Sequence, residues 1–412
     1  MIEEFVTDRK TLLRLRSGPL GAHIDGFAHS LSKQGYARYT AKQKIGVVGA
    51  LSVWMRRRHL GAKDLDEQRT QEFVAYRRKR GRVHRSDVAA LGSLLRYLRE
   101  DGVIPRCECK AKRCALERIL DGYAQYLVQE RGLSQATLAN YIPSTRSFLS
   151  QRFGAAAVHL GRLRVPDISQ FILRRARQVG VLRVQLEVTA LRSFFRFLCQ
   201  RGQISRNLAD AVPSISNRGA ATVPKYLEPH EVEALLESCD LSNAIGRRDH
   251  AILLLLARLG LRAGEVVHLV LEDIDWQTGE LIVRGKSARH GRLPIPHDVG
   301  QALAGYLRQD RPCCPSRRVF LRARAPYGEI ASSATICDIV RNALSRAGLT
   351  PRFKGSHLLR HSLATHMLGK GSSLAEIGEV LRHQLPSSTE IYAKVNLVAL
   401  RALAQPWKGG TP

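Results

Sequence analysis

Ser356 to Tyr392 reads SHLLRHSLATHMLGKGSSLAEIGEVLRHQLPSSTEIY. Arg360 follows His357 by three residues, so a single helical turn presents both on one side. His383 stands 23 residues after Arg360, and Tyr392 nine after His383. Two imidazoles, a guanidinium and a phenol are poor material for a core and good material for gripping and attacking a phosphodiester. Ser356 is well placed to cap a helix that starts at His357.

Upstream, the pattern predicts helices over 228–238 and 247–259, the second apolar enough to be central. Short β-like runs follow at 280–284 and 292–296, joined by a polar turn, and Pro294 places the second run at an edge. Further helices are predicted at 299–308, 334–347, 357–368 and 374–382. Arg262 sits where one helix ends and another begins, in Leu259-Gly-Leu-Arg-Ala-Gly-Glu265. Lys286 lies in the hairpin turn, with Arg284 and Arg289 as nearby competitors. Glu265 and Asp273 read as supporting acids, Asp273 capping or burying a turn. His361 and His366 read as packing or polar-face residues.

The N-terminal half repeats itself weakly. Ile24–Leu31 resembles Leu120–Leu127 at an offset of 96, and Leu91–Leu98 resembles Leu191–Leu198 at an offset of 100. The apolar positions 91, 94, 95 and 98, and 191, 194, 195 and 198, have helical spacing. Two copies of one all-helical unit follow from this. Between Gln203 and Lys225 no apolar face can be drawn, and the segment reads as a linker.

The chain has 412 residues, too many for one core, so two or three domains are expected. Lys and Arg number 65 against 36 acids, a net charge of +29. Residues 1–225 hold 41 basic and 18 acidic residues, and 226–412 hold 24 and 18, so the excess lies in the N-terminal half. A polyanion is the expected partner, and Arg56–Arg58 and Arg77–Arg80 could contact phosphates. The longest apolar run, Ala251–Ala257, is too short to span a membrane, and Met-Ile-Glu-Glu-Phe is not a secretory signal. A cytoplasmic location with reduced thiols is expected. Cys107, Cys109 and Cys114 lack the paired spacing of a zinc ribbon and an obvious fourth ligand, so no metal is expected there.

Attack on a phosphodiester places charge on the non-bridging oxygens. Arg262 and Arg360 can donate paired hydrogen bonds to them at any working pH, where many nucleases use a metal. Tyr392 is the candidate nucleophile and His357 the candidate acceptor of its proton. Lys286 could protonate the leaving 5′ oxygen, and His383 could bond the phosphate or orient the tyrosine. A phosphotyrosine ester retains the bond energy, so rejoining needs no ATP, and no Gly-x4-Gly-Lys-Ser/Thr loop is present. No cofactor is expected.

From about Tyr226 onward the chain resembles the catalytic domain of the tyrosine recombinases, the lambda-integrase-like family. The matching patterns are Gly260 to Glu265, Gly285-Lys286 followed by Arg292 to Pro294, His357 to His361, and His383 nine residues before Tyr392. The resemblance carries the family's catalytic set onto Arg262, Lys286, His357, Arg360, His383 and Tyr392. Arg382 departs from it, since many relatives have Gly there. The implied fold is mainly α with a small β-hairpin: all-helical N-terminal DNA-binding domains followed by a mixed α/β catalytic domain. The implied division is a helical arm at 1–105, a core-binding clamp at 106–205, a linker at 206–225 and the catalytic domain at 226–412.

The implied function is cleavage and rejoining of double-stranded DNA through a 3′-phosphotyrosine, as a mobile-element integrase or transposase-like recombinase. A homo-tetramer on two sites, with or without partner recombinases, is the implied assembly, with the amphipathic segment 395–403 and Trp407 as a docking tail. A non-cleaving architectural protein on the same scaffold and a type IB topoisomerase-like activity are the alternatives.

Overall fold

The computed structural model describes residues 2–81, 84–105, 115–154, 157–215, 225–285, 290–383, 385 and 387–395. The chain divides into two compact units, one of residues 107–222 and one combining 1–106 with 223–412.

The N-terminal segment folds as helices α1 (Arg9–Arg16), α2 (Gly21–Lys33), α3 (Arg38–Arg56), α4 (Glu67–Arg78) and α5 (Arg85–Glu100). Their apolar faces enclose a core that includes Ile24, Phe27, Leu31, Leu51, Phe73, Leu94 and Leu98. Residues 107–222 contain α6 (Ala115–Gln125), α7 (Gln135–Phe153), α8 (Val165–Gln178) and α9 (Val181–Gln200). Their core includes Leu120, Tyr123, Leu127, Phe148, Phe171, Phe194 and Leu198.

Four helices of the first set, α2 to α5, correspond in order to α6 to α9 of the second. A one-turn 3-10 helix separates α3 from α4 (Ala62–Asp64) and α7 from α8 (Leu160–Arg162). Phe27 meets Tyr97 with ring centroids 5.9 Å apart, and Tyr123 meets Phe197 at 5.4 Å. An acid buried on the last helix pairs with an arginine on the one before: Asp87 with Arg77 at 3.0 Å, Glu187 with Arg175 at 2.6 Å. Each set ends at a left-handed glycine, Gly102 (φ 73°) or Gly202 (φ 65°), followed by a buried isoleucine, Ile104 or Ile204. The repeat seen at two places in the sequence is the surface trace of this common architecture.

The C-terminal region is built on α11 (Ala244–Arg258), with Ala251 to Ala257 all buried. Asn243 caps it by accepting from the Gly246 amide at 2.8 Å, and Arg247 holds Asp310 through paired bonds of 2.5 and 2.6 Å. Against it pack α10 (Pro229–Glu237), α12 (Ala263–His268), α13 (His297–Gly305), α14 (Ser333–Arg346) and α15 (His357–Gly369), while α16 (Leu374–Val380) packs on α15 and α17 (Ser387–Glu390) on α16. The antiparallel sheet has the order β1 (Ile274–Asp275), β2 (Glu280–Arg284), β3 (His290–Pro294), so Pro294 lies on an edge strand where its missing N–H removes no ladder bond. β1, only two residues long, is not visible in the sequence pattern.

Within the unit that joins 1–106 to 223–412, the Tyr327 amide donates to the Gln34 carbonyl at 3.1 Å. The Tyr327 ring lies against Gly35 so closely that a Cβ there would sit 2.1 Å from Cε2. Among the described residues no helix is long and apolar enough to cross a membrane.

Candidate active site

Gly260 turns the chain between α11 and α12 at φ 57°, and a Cβ on it would lie 2.6 Å from Leu381 Cδ2. A left-handed backbone and a crowded approach both require glycine here. The turn delivers Arg262 to the position preceding α12, where its amide donates to Glu265 Oε2 at 2.8 Å and its Nη1 to Glu265 Oε1 at 2.7 Å. Its side chain remains 39% exposed, which leaves donors free for a ligand.

Arg360, on the first turn of α15, is 3% exposed. Its two terminal nitrogens donate to the carbonyls of Gly260 and Leu381. One guanidinium thereby ties the turn carrying Arg262 to the segment carrying His383. Burial, then the charges of Arg262 and Arg382, lower its pKa to about 10, so it stays cationic near neutrality.

His357 is exposed at the start of α15. Partial desolvation, then Arg360 and Arg262, hold its imidazole below the usual range. Ser356 precedes it, but its backbone is already helical (φ −57°, ψ −27°) and its side chain makes no cap bond. Its Oγ lies 3.5 Å from Cys337 Sγ instead, which corrects the capping role expected from the sequence.

His383 follows α16, with Nδ1 2.7 Å from Thr389 Oγ1 and its ring stacked parallel to Tyr392, centroids 6.4 Å apart and 2° between planes. Tyr392, 1% exposed, packs with Ala364, Ile377 and Leu381. Burial raises its hydroxyl to about 12 against the opposing charges of Arg360 and Arg262.

From the sequence alone His361 reads as a packing or polar-face residue. Its Nδ1 lies 2.8 Å from the Tyr392 hydroxyl, and burial, then His357 and Arg360, lower its pKa to about 4. His357, the acceptor suggested by the sequence, has its ring centroid 6.3 Å from that of His361, and its ring is not the hydrogen-bond partner of Tyr392. His366 does serve structure: Nε2 lies 3.0 Å from the Leu227 carbonyl.

Arg382 lies in the left-handed region (φ 53°), where glycine is the easiest residue to place. Its Nη2 donates to Glu265 Oε2 at 3.0 Å, so Glu265 joins Arg262 to Arg382. Burial alone would raise the Glu265 carboxyl, but the Arg262 amide, the Arg382 charge and the Arg262 guanidinium outweigh it and hold the pKa low. A Cβ on Gly291 of β3 would lie 2.8 Å from Arg382 Cδ, so the hairpin abuts the site.

Lys286 and Arg289 lie outside the described residues. Arg284 is committed to buried Asp273 at 2.8 Å. Asp273 also accepts from the Val270 amide at 3.0 Å, consistent with its reading as a turn residue. Cys107, Cys109, Cys114 and the tail from 396 also lie outside the described residues. Among the described residues no cluster of His, Cys, Asp and Glu is arranged to hold a metal ion.

Residues 225–397 match the phage integrase family, and residues 120–202 match the phage integrase N-terminal SAM-like domain. The integrase/recombinase y4rA of Sinorhizobium fredii is 40% identical over 98% of this chain and 98% of its own length. The tyrosine recombinase XerC of Bacillus subtilis is 30% identical over 68% of this chain and 92% of its own. A XerH site-specific recombinase bound to palindromic difH substrate in a post-cleavage complex has the same fold, with TM-score 0.55 and 17% identity over 72% of this chain and 98% of that one. A lambda integrase dimer bound to a COC′ core site has TM-score 0.52 and 19% identity over 71% and 98%. The chain belongs to the phage integrase family of tyrosine recombinases.

Proposed function

We propose that this recombinase cuts and rejoins double-stranded DNA with Tyr392 as nucleophile and Arg262, Lys286, His357, Arg360 and His383 as the groups around the phosphate. Site-specific recombination through a covalent intermediate is the function of the family to which the chain belongs. The observation that carries the residue-level reading is the gathering of Arg262, Arg360, His357, His383 and Tyr392 from separate segments, with Arg360 bonded to two of those segments.

In this reading the two guanidiniums hold the non-bridging oxygens and offset the charge that grows on them. The Tyr392 oxygen attacks phosphorus, the 3′-phosphotyrosine bond forms and the bond to the 5′ oxygen breaks. Lys286 supplies the proton to that oxygen, and exposed His357 bonds the phosphate. The positive charge comes from side chains and the ester conserves the bond energy, so neither metal nor ATP is required.

Residues 106–205 form the DNA clamp, and 1–105, built to the same plan, are a second helical arm for the duplex. Residues 206–225 link them to the catalytic domain at 226–412. The working form is a homo-tetramer on two sites of a mobile element, with or without a partner recombinase, acting in the cytoplasm.

A nicked duplex that loses a short strand on cleavage tests this reading. A covalent protein–DNA adduct that is absent with Tyr392→Phe is expected. No adduct with the unaltered protein, alongside normal DNA binding, favours the architectural alternative.

A further inference from the structure

We infer that His361 is the catalytic group that takes the Tyr392 hydroxyl proton as the tyrosine attacks phosphorus, and that returns it when the strand is rejoined. This rests on Tyr392 being the nucleophile.

The argument is geometric. His361 and Tyr392 are separated by 31 positions, yet Nδ1 and the phenolic oxygen lie 2.8 Å apart, with ring centroids at 5.6 Å. That is the reach a general base needs. The other imidazoles are differently occupied. His383 lies parallel to the phenol with centroids 6.4 Å apart, and its Nδ1 is 2.7 Å from Thr389 Oγ1. His357 is exposed, and the bond to the phenol is made by His361 instead, which suits His357 to the incoming phosphate.

The surroundings keep His361 able to accept. Burial, His357 and Arg360 all oppose its protonation, so near neutrality it is an unprotonated imidazole. With Nδ1 accepting, the ring carries its proton on Nε2. A phosphodiester bound at Arg262 and Arg360 brings negative charge to the cations whose fields reach the pair. That eases formation of the imidazolium as the Tyr392 proton leaves.

The proton balance is closed. The O–H bond of Tyr392 breaks, its proton passes to Nδ1, the oxygen–phosphorus bond forms, and the departing 5′ oxygen takes a different proton from the acid. In rejoining, the 5′ hydroxyl attacks phosphorus and gives its proton back to the acid, the bond from phosphorus to the Tyr392 oxygen breaks, and the phenolate recovers its proton from Nδ1. His361 is thereby separated from the acid in role.

Single-turnover adduct formation on the nicked duplex, at saturating DNA, is the test. His361→Ala is expected to slow it about 100-fold or more, with DNA affinity unchanged and partial recovery in added imidazole. His361→Asn keeps a polar group near Nδ1 but accepts no proton, and is expected to remain slow while its melting temperature stays near that of the parent. A substrate with bridging sulfur at the 5′ position needs no acid, so the His361 variants stay slow on it. Full activity of His361→Asn, or full recovery on the sulfur substrate, overturns the assignment. If the unaltered protein forms no adduct, the Tyr392 reading itself fails and this inference falls with it. An adduct lost only in Tyr392→Phe, with His361→Ala at full rate, overturns this inference alone.

Discussion

Arg382 donates to Glu265 at 3.0 Å across 117 positions of the chain, on the same carboxylate that aligns Arg262. The pair links the segment before Tyr392 to the turn that delivers Arg262. It also sets two effects against each other, because Arg382 has a left-handed backbone. Arg382→Gly relieves a strain of about 1 kcal/mol, whereas Arg382→Ala retains it and loses the same ion pair. The alanine variant should therefore melt below the glycine variant. Both should form adduct more slowly than the parent, by roughly 10-fold, because Glu265 then holds Arg262 without its second partner. Thermal melts and adduct kinetics on the two variants check this.

Gly260→Ala should be among the most damaging small substitutions. It combines φ 57° with a Cβ only 2.6 Å from Leu381 Cδ2 and 3.0 Å from Leu363 Cδ2, and its carbonyl is a partner of Arg360. Strain and overpacking together should cost about 2–4 kcal/mol. Urea denaturation measures it, and a cost below about 0.5 kcal/mol would contradict the packing described.

The four chemical patterns around the site were legible in the sequence because each is a short local signal: a glycine turn before Arg262, a hairpin, a one-turn His-Arg pair, and a tyrosine after His383. The roles of the histidines were not. His357 and His361 are one turn apart on α15, so spacing alone cannot tell which meets a residue 31 positions later. Packing of Ala364, Ile377 and Leu381 around Tyr392 decides it. Likewise, Ser356 has the composition of a cap, but its helical backbone removes the geometry a cap needs. The helical repeat was visible only where apolar spacing was kept, while the ion pairs linking α4 to α5 and α8 to α9 depend on long-range contact.

Those ion pairs supply a third prediction. Glu187 accepts from Arg175 through paired bonds of 2.9 and 2.6 Å, whereas Asp87 meets Arg77 at 3.0 Å without a well-aligned hydrogen bond. Both acids are buried, so removing either leaves an arginine without its main partner. Glu187→Ala should cost about 3–5 kcal/mol and Asp87→Ala less. Denaturation of the full chain, monitored separately in each helical segment, distinguishes them. An equal or reversed order would contradict the described geometry.

Acid should weaken the fold around Tyr392 in a defined window. An unfolded imidazole gains its proton near pH 6.5, about where histidine normally titrates. Burial, with the neighbouring charges, holds folded His361 and His383 unprotonated down to about 4. Between these values the unfolded chain binds more protons, so stability falls as pH drops from 6.5 and this contribution to the fall ends below 4. Melting temperatures from pH 7.5 to 4 should decline less steeply for His361→Asn than for the parent protein. An unchanged slope would contradict the buried, neutral state of that imidazole.

The most direct measurement is peptide mapping of the covalent adduct formed on the nicked duplex. A nucleotide joined through its 3′ phosphate to Tyr392, and to no other residue, is the predicted result. A nucleotide on another side chain, or cleavage that persists in Tyr392→Phe, would contradict the account.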